Sequence, residues 1–190
     1  MSAIIAELRH GYIDTKQTAA DTRAVHQRLF RGLTPSEYEY YAGHYRGEEY
    51  RCLKHYSVRV GNDPRVGYPP QQVLGYMNEL ARIVQDTTAV LDTGHAIPDA
   101  QLSPEDKLSY IVAAACMIFE FFLRIHPYAN GNGHAARFCI WAILGRYNYW
   151  PTRWPIEPRP ADPPYTDMIV AYRDGNPEPL ETYILHCLSL

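Results

Sequence analysis

The chain has 190 residues, of which 46% are hydrophobic and 21% are charged. That length suits one well-buried core and is short for two, so we expect a single domain over residues 1–190. The net charge of −3 argues against a nucleic-acid partner held by a basic surface. The four cysteines are too widely spaced for a zinc site or a disulfide framework and are typical of reduced intracellular thiols.

The sequence lacks the usual signals of export and membrane insertion. The first thirteen residues mix charged side chains among the apolar ones, whereas a secretory signal has a continuous apolar stretch. The longest apolar run, residues 111–119, has nine residues, while a membrane-spanning helix needs about 20. We therefore expect a soluble, cytoplasmic protein with no membrane partner. Delivery into another cell by a route that uses no signal stays open.

Two helices are predicted near the N-terminus. Apolar residues recur at helical spacing over residues 18–30, and Gly32 follows as a stop. Thr34 then predicts the start of a second helix, because Pro35 stands at the first helical position and Glu37 three residues after the cap.

A short β-hairpin is predicted between about residues 50 and 68. Polar and apolar side chains alternate over four residues: Ser57, Val58, Arg59 and Val60. The Gly-Asn-Asp-Pro sequence of residues 61–64 is a turn signal, which would join this strand to the next one.

The rest of the chain has helical spacing, so the predicted fold class is all-α with one small β-hairpin. The predicted helices cover residues 69–85, 104–126, 132–146, 165–173 and 179–188. Ser103 caps the second of these, which Pro127 ends by forcing the preceding residue out of the α region. Because that helix is apolar almost all round, it is expected at the centre of the helical bundle.

The junction after this central helix has the sequence H-P-Y-A-N-G-N-G-H-A-A-R over residues 126–137. Average composition would produce H-P-[FY]-x-x-G-N-G-x-x-x-R on the order of once in 10⁹ positions. Gly131 and Gly133 allow a tight turn and a close ligand, and the following helix start presents unpaired amides to an anion. Arg137 can donate two parallel hydrogen bonds to phosphate oxygens, and His126 is suited to accept a proton at neutral pH. A base beside a phosphate cradle indicates phosphoryl or nucleotidyl transfer.

The loop resembles the motif of the Fic (Fic/Doc-like) family, H-P-F-x-[D/E]-G-N-G-R-x-x-R, and weaker resemblances extend over about residues 30–188. The resemblance implies a helical Fic fold whose flap, here the predicted hairpin, holds a target peptide by strand addition. It implies transfer of AMP from ATP to a Ser, Thr or Tyr hydroxyl of a target protein. His126 would deprotonate that hydroxyl, and Tyr128 would anchor the loop in the core. Donor contacts would come from six residues: Asn130, Gly131, Asn132, Gly133, His134 and Arg137.

Two positions depart from the family motif. Asn130 stands where the family has an acidic ligand of Mg²⁺, and its amide oxygen lacks the charge that attracts this cation. His134 stands where the family has an arginine that contacts the outer phosphates. The donor is therefore ATP or another nucleotide or phosphate-linked group. Use of Mg²⁺ stays open, with Asn130 as its one candidate ligand.

Two functions are compatible with these residues. One is the transferase, and the other is a catalytically weak or inactive Fic fold that binds a nucleotide or a partner. Many members of the family inhibit themselves through a helix with the pattern [S/T]-x-x-x-E-[G/N], which this sequence lacks. A separate antitoxin-like protein is therefore a candidate inhibitor. Arg46, in the segment that resembles the one before the flap, is expected to be a packing or salt-bridge residue.

Overall fold

A computed structural model describes residues 2–61 and 63–188 of the chain. These residues form eight α-helices and one 3₁₀ segment, and the one β-type pairing among them is an isolated bridge between Pro151 and Leu188. The α-helices are α1 (Ser2–Arg9), α2 (Thr15–Ala20), α3 (Arg23–Phe30), α4 (Pro70–His95), α5 (Pro104–Ile125), α6 (Asn132–Arg146), α7 (Tyr165–Arg173) and α8 (Glu178–His186), and the 3₁₀ segment is Ser36–Tyr41. The predicted all-α class is confirmed.

The central helix is α5, as its all-round apolar character predicts. It packs against α4 and α6 and also contacts α7 and α8. Ser103 caps its first turn by accepting a hydrogen bond from the amide of Asp106 at 3.1 Å. By length and composition alone α5 would also pass as a membrane-spanning helix, a property that it shares with the core helices of globular proteins.

The first predicted helix, residues 18–30, is split into α2 and α3. Asp21 leaves the helical region, with φ −136° and ψ 101°, and its carboxylate accepts a hydrogen bond from the amide of Arg23 at 3.0 Å. The hydroxyl of Thr22 lies 2.7 Å from the hydroxyl of Tyr128 in the buried interior. A contact with a distant part of the chain therefore overrides the helical periodicity at this point.

The lengths of two other helices differ from the prediction. The capping pattern at Thr34 starts only the 3₁₀ segment, which has no side-chain cap. Helix α4 continues to His95, ten residues past its predicted end at residue 85. The last turns of α4 are held because Asp92 accepts two hydrogen bonds from Arg146 of α6, at 2.9 and 2.6 Å.

The predicted β-hairpin is wrong. Ser57, Val58, Arg59 and Val60 form no strand, and nothing in the described ranges pairs with them as one. The expected second arm folds into turns, because Asp63 accepts hydrogen bonds from Arg65 at 2.9 Å and from Arg173 of α7 at 3.0 Å. Position 62 of the predicted turn lies outside the described residues. We call residues 57–67 the flap segment.

Arg46 joins both ends of the flap segment to the end of α5. Its guanidinium donates to four backbone carbonyl oxygens, at distances between 2.8 and 3.1 Å. These carbonyls belong to Tyr56, Tyr68, Ile125 and His126. The last two lie at the negative end of the α5 dipole, so carbonyl dipoles compensate the buried charge. Burial lowers the pKa of Arg46 to about 10, and the side chain therefore stays charged at neutral pH.

We predict that Arg46→Leu lowers the free energy of unfolding by about 3 kcal/mol or more, because it leaves four carbonyl oxygens without their donor. The matched control is Arg82→Leu, which removes an exposed arginine that pairs with Asp86 on α4. We expect the control to stay within about 0.5 kcal/mol of the parent protein. Urea unfolding measures both variants, and equal effects would show that the Arg46 contacts contribute little to stability.

Candidate functional site

The loop between α5 and α6 is closed by the side chain of Asn132. Its Oδ1 accepts a hydrogen bond from the amide of Tyr128 at 2.8 Å, and its Nδ2 donates to the carbonyl oxygen of Tyr128 at 2.8 Å. Both residues are buried. The expectation that Tyr128 anchors the loop in the core is confirmed. The side chain of Asn132 acts on the loop itself, which leaves its backbone amide as the group that faces an anion.

His126 ends α5 in the left-handed region, with φ 53° and ψ 58°. Only a few residues other than glycine adopt this conformation, and here backbone contacts hold it. Arg46 donates from its Nε to the carbonyl oxygen of His126 at 2.8 Å and from its amide to that of Pro127 at 2.8 Å. The histidine backbone is therefore fixed by a residue eighty positions earlier.

The ring of His126 has a defined tautomer. Its Nδ1 lies 3.2 Å from the carbonyl oxygen of Leu123, which can only accept a hydrogen bond. Nδ1 therefore carries the hydrogen, and Nε2 keeps a free lone pair. Burial, with a smaller contribution from the positive charges of Arg46 and Arg173, lowers the pKa of His126 to about 4. The ring is neutral at physiological pH and can accept a proton at Nε2.

The N-terminal end of α6 presents free amides. Gly131 has φ 77° and precedes the helix, and the amides of His134 and Ala135 bond to its carbonyl oxygen at 3.1 Å. The amides of Asn132 and Gly133 donate to no carbonyl or side chain in the described ranges. Because the first amides of a helix have no partner within it and lie at its positive dipole end, this is a site for an anion.

Arg137 lies behind these amides and is buried. Its Nε and one terminal nitrogen donate to the carbonyl oxygen of Ile156 at 2.9 and 2.7 Å. The other terminal nitrogen would lie 2.9 Å from a Cβ placed on Gly133. Arg137 therefore reaches back to the helix start, as its position predicts. Two of its three guanidinium nitrogens already donate to Ile156.

A carboxylate of the chain itself lies at the edge of this anion site, beside His134. His134 Nε2 lies 2.6 Å from an oxygen of Glu157, and a terminal nitrogen of Arg137 lies 4.0 Å from the same oxygen. Glu157 was not predicted. It lies in the Pro- and Trp-rich stretch between α6 and α7, where no motif or periodic pattern marks a functional residue.

Asn130 is exposed, and its Oδ1 accepts a hydrogen bond from the amide of Gly131 at 2.8 Å. The amide oxygen that would be offered to a cation is therefore turned toward the loop. No group of three or more His, Cys, Asp or Glu side chains that could hold a metal lies within residues 2–61 and 63–188. Because the side chain of Asn130 carries no charge and its oxygen is already bonded, the residues present do not fit a Mg²⁺ ion held by the protein.

The predicted flap residues begin beside the loop. Arg46 bonds to the carbonyl oxygens of Tyr56, just before the flap segment, and of His126. Ser57, Arg59 and Val60 are exposed, whereas Val58 is half-buried. The fold therefore links the backbone of His126 to the residue before the flap segment through Arg46, and it places Arg137 beside Gly133 at the start of α6.

A recess of about 380 Å³ opens next to Asn130 and has mainly aromatic and apolar walls. Its lining includes His26, Phe30, Leu33, Tyr41, Tyr56 and Ala129. A larger apolar cavity, of about 750 Å³, lies between α4 and α5 and includes none of the loop residues. Of these two cavities, the recess is the one that touches the loop, at Ala129 and Asn130.

The described residues form an all-helical protein in which a histidine-bearing loop leads into a glycine-rich helix start. A comparison with known protein families matches residues 16–144 to the Fic/DOC family. The match covers more than half of the chain and includes the loop and the flap segment, and the chain therefore belongs to the Fic/DOC family. A search of curated proteins found none that matches.

We predict that Glu157→Gln increases the affinity for ADP, because it removes a negative charge next to His134 and Arg137. One unit charge at about 4 Å in a solvated site is worth about 1 kcal/mol, or roughly 5-fold in the dissociation constant. Glu178→Gln is the control, since it makes the same charge change at an exposed position of α8. Calorimetric titration measures both. Equal affinities in the two variants would show that Glu157 does not compete with the ligand.

Proposed function

We propose that the protein is a Fic-type transferase that moves AMP, or another nucleotidyl or phosphate-linked group, from a nucleotide donor onto a Ser, Thr or Tyr hydroxyl of a target protein. Membership of the Fic/DOC family is consistent with this class of activity. The single observation that carries the proposal is the tautomer of His126. Its Nδ1 bond to Leu123 leaves a lone pair on Nε2, in the loop that leads to the anion-binding amides.

In the proposed reaction, His126 Nε2 accepts the proton of the target hydroxyl. The hydroxyl oxygen forms a bond to the α-phosphorus of the donor, and the bond from that phosphorus to the bridging oxygen breaks. With ATP as the donor, the electron pair leaves with pyrophosphate. The amides of Asn132 and Gly133 hold the reacting phosphate and stabilise the charge that develops on its oxygens.

The outer part of the donor would meet His134 and Arg137. Arg137 supplies a permanent positive charge, whereas the charge of a histidine depends on its protonation. The usual outer-phosphate contact of the family is therefore weaker here, and Asn130 supplies no charge for a cation. This supports a test of several donors, including nucleotides other than ATP and diphosphate-linked groups.

The target would dock along the flap segment. Residues 57–60 have no partner strand among the described residues, so their backbone groups can pair with an extended peptide. Arg46 donates both to the carbonyl oxygen of Tyr56, just before this segment, and to that of His126. This link would place the hydroxyl of a docked target near Nε2 of His126.

A second candidate function is a Fic fold that binds a nucleotide or partner without turnover. The observation that favours it is the bonding within the cradle. Glu157 already contacts His134, and two guanidinium nitrogens of Arg137 already donate to the carbonyl oxygen of Ile156. A donor that reaches His134 must therefore displace or accommodate this carboxylate. In this second function ADP binds, but no group is transferred.

We predict that the protein labels target proteins in a lysate when it is given labelled nucleotides. His126→Ala should lower the rate at least 10²-fold, because a positioned general base contributes about 10²- to 10⁴-fold. The matched control is His55→Ala, which removes an exposed histidine from the turns before the flap segment. The assay is repeated with several nucleotide and diphosphate-linked donors, and mass spectrometry identifies the group that each one transfers. Transfer by His126→Ala at the parent rate would refute the role of this base. Nucleotide binding without any transfer would instead support the second function.

We predict that the His126 ring titrates near pH 4, well below the ordinary histidine pKa of about 6.5, because burial disfavours its charged form. The base is then unprotonated throughout the neutral range and is lost only when the pH falls through this value. Bound ADP should raise the midpoint, since its negative charge favours the protonated ring. NMR titration of the ring, assigned with His126→Ala, measures both midpoints. An ordinary midpoint of about 6.5 without ligand would mean that the ring is solvated.

A further inference from the structure

His26 of α3 lies under the loop, although no motif marks it. Its side chain is buried, with a relative exposure of 2%. The amide of Gly43 donates to Nδ1 at 3.0 Å, and because an amide can only donate, Nδ1 carries no hydrogen. Nε2 therefore carries it and donates to the carbonyl oxygen of Asn130 at 2.9 Å. Both ring nitrogens are used, and the two bonds require one tautomer.

The orientation of the His26 ring is fixed by its neighbours. It stacks on Tyr128 with a centroid distance of 3.6 Å and an interplanar angle of 10°. Phe30 also stacks on it, with a centroid distance of 4.6 Å and an interplanar angle of 30°. Burial lowers the pKa of His26 to about 4, so the ring stays neutral and keeps the bond from Gly43 at physiological pH. The donor to Asn130 is therefore held in one place.

Helix α3 also contacts the next residue of the loop. A Cβ placed on Gly131 would lie 2.4 Å from the ring of Phe30 and 3.0 Å from Nε2 of His26. Glycine is therefore needed here because α3 lies so close, in addition to its positive φ. The carbonyl oxygen of Asn130 and the Cα of Gly131 belong to one peptide unit, and α3 fixes both. That unit sets the direction in which α6 begins.

We infer that His26 is a positioning residue that sets the anion cradle through the Asn130–Gly131 peptide. Its two hydrogen bonds go to backbone groups of Gly43 and Asn130, and it acts by aiming the amides of Asn132 and Gly133. The catalytic consequence rests on the proposed transferase function, whereas the effect on the loop does not.

His26 also links the cradle to the base. Its partner Gly43 stands three residues before Arg46, which bonds to His126 and Pro127. One short segment, residues 43–46, thus supports the loop at both ends. The tautomer of His126 is set separately, by the carbonyl oxygen of Leu123 on α5. A change at His26 should therefore disturb the amides first and leave that tautomer in place.

Two substitutions and one control test this inference. His26→Phe keeps a flat ring for stacking but removes both hydrogen bonds, and His26→Gln keeps a terminal amide that can donate to Asn130. Val25→Ala is the matched control, because it removes buried methyl groups from the neighbouring position of α3 without removing either hydrogen bond. Its loss of stability can be compared with theirs.

We expect His26→Phe to shift the backbone amide resonances of Gly131, Asn132 and Gly133 and to lower kcat by about 10- to 100-fold, since small displacements of positioning groups have effects of this size. The KM for the target should not change. His26→Gln should recover most of the lost rate, and Val25→Ala should match the parent protein per folded molecule. Unshifted resonances in His26→Phe, or effects no larger than those of Val25→Ala, would overturn the inference.

The experiment distinguishes failure of the proposed function from failure of the inference about His26. If the parent protein transfers nothing, the proposed function fails, and the amide resonances still decide the role of His26. If His26→Phe does not fold, the ring ¹⁵N shifts of the parent protein decide it. They should show the hydrogen on Nε2 of His26, and a hydrogen on Nδ1 would overturn the inference.

Discussion

The buried guanidinium of Arg46 is the contact on which the site depends. It lies at the negative end of the α5 dipole and bonds to carbonyl oxygens of both the helix end and the roots of the flap segment. Because its partners are backbone groups, the positions of His126 and of the flap segment are fixed by the course of the chain. The left-handed backbone of His126, which is otherwise unfavourable, persists because this cation and the Pro127 contact hold it.

Positive and negative groups of the protein lie close together at the start of α6. The start of α6 and Arg137 supply positive charge, and Glu157 supplies a negative charge at the same place. An anion that binds beside His134 would meet this carboxylate. The net charge at the start of α6 is therefore set by residues from two parts of the chain, and the loop sequence alone does not decide it.

The loop is supported by three parts of the chain. Helix α5 supplies His126, residues 43–46 hold its backbone, and α3 holds Asn130 through His26. Tyr128 inserts between these supports and stacks on His26. Neighbouring elements thus bond the carbonyl groups that the residues of this glycine-rich loop leave free.

The sequence by itself determined the helical class, the start of α5 at its Ser103 cap, the bounds of α6 and the identity of the loop. Caps, prolines, glycines and apolar spacing act over a few residues, so they can be read locally. Only the tertiary structure decided the break between α2 and α3, the irregular flap segment and the role of His26. These depend on the pairs Thr22–Tyr128, Asp63–Arg173 and His26–Asn130, whose members are 106, 110 and 104 residues apart. A contact across such a distance leaves no local pattern, because only the packing of the whole chain brings its partners together.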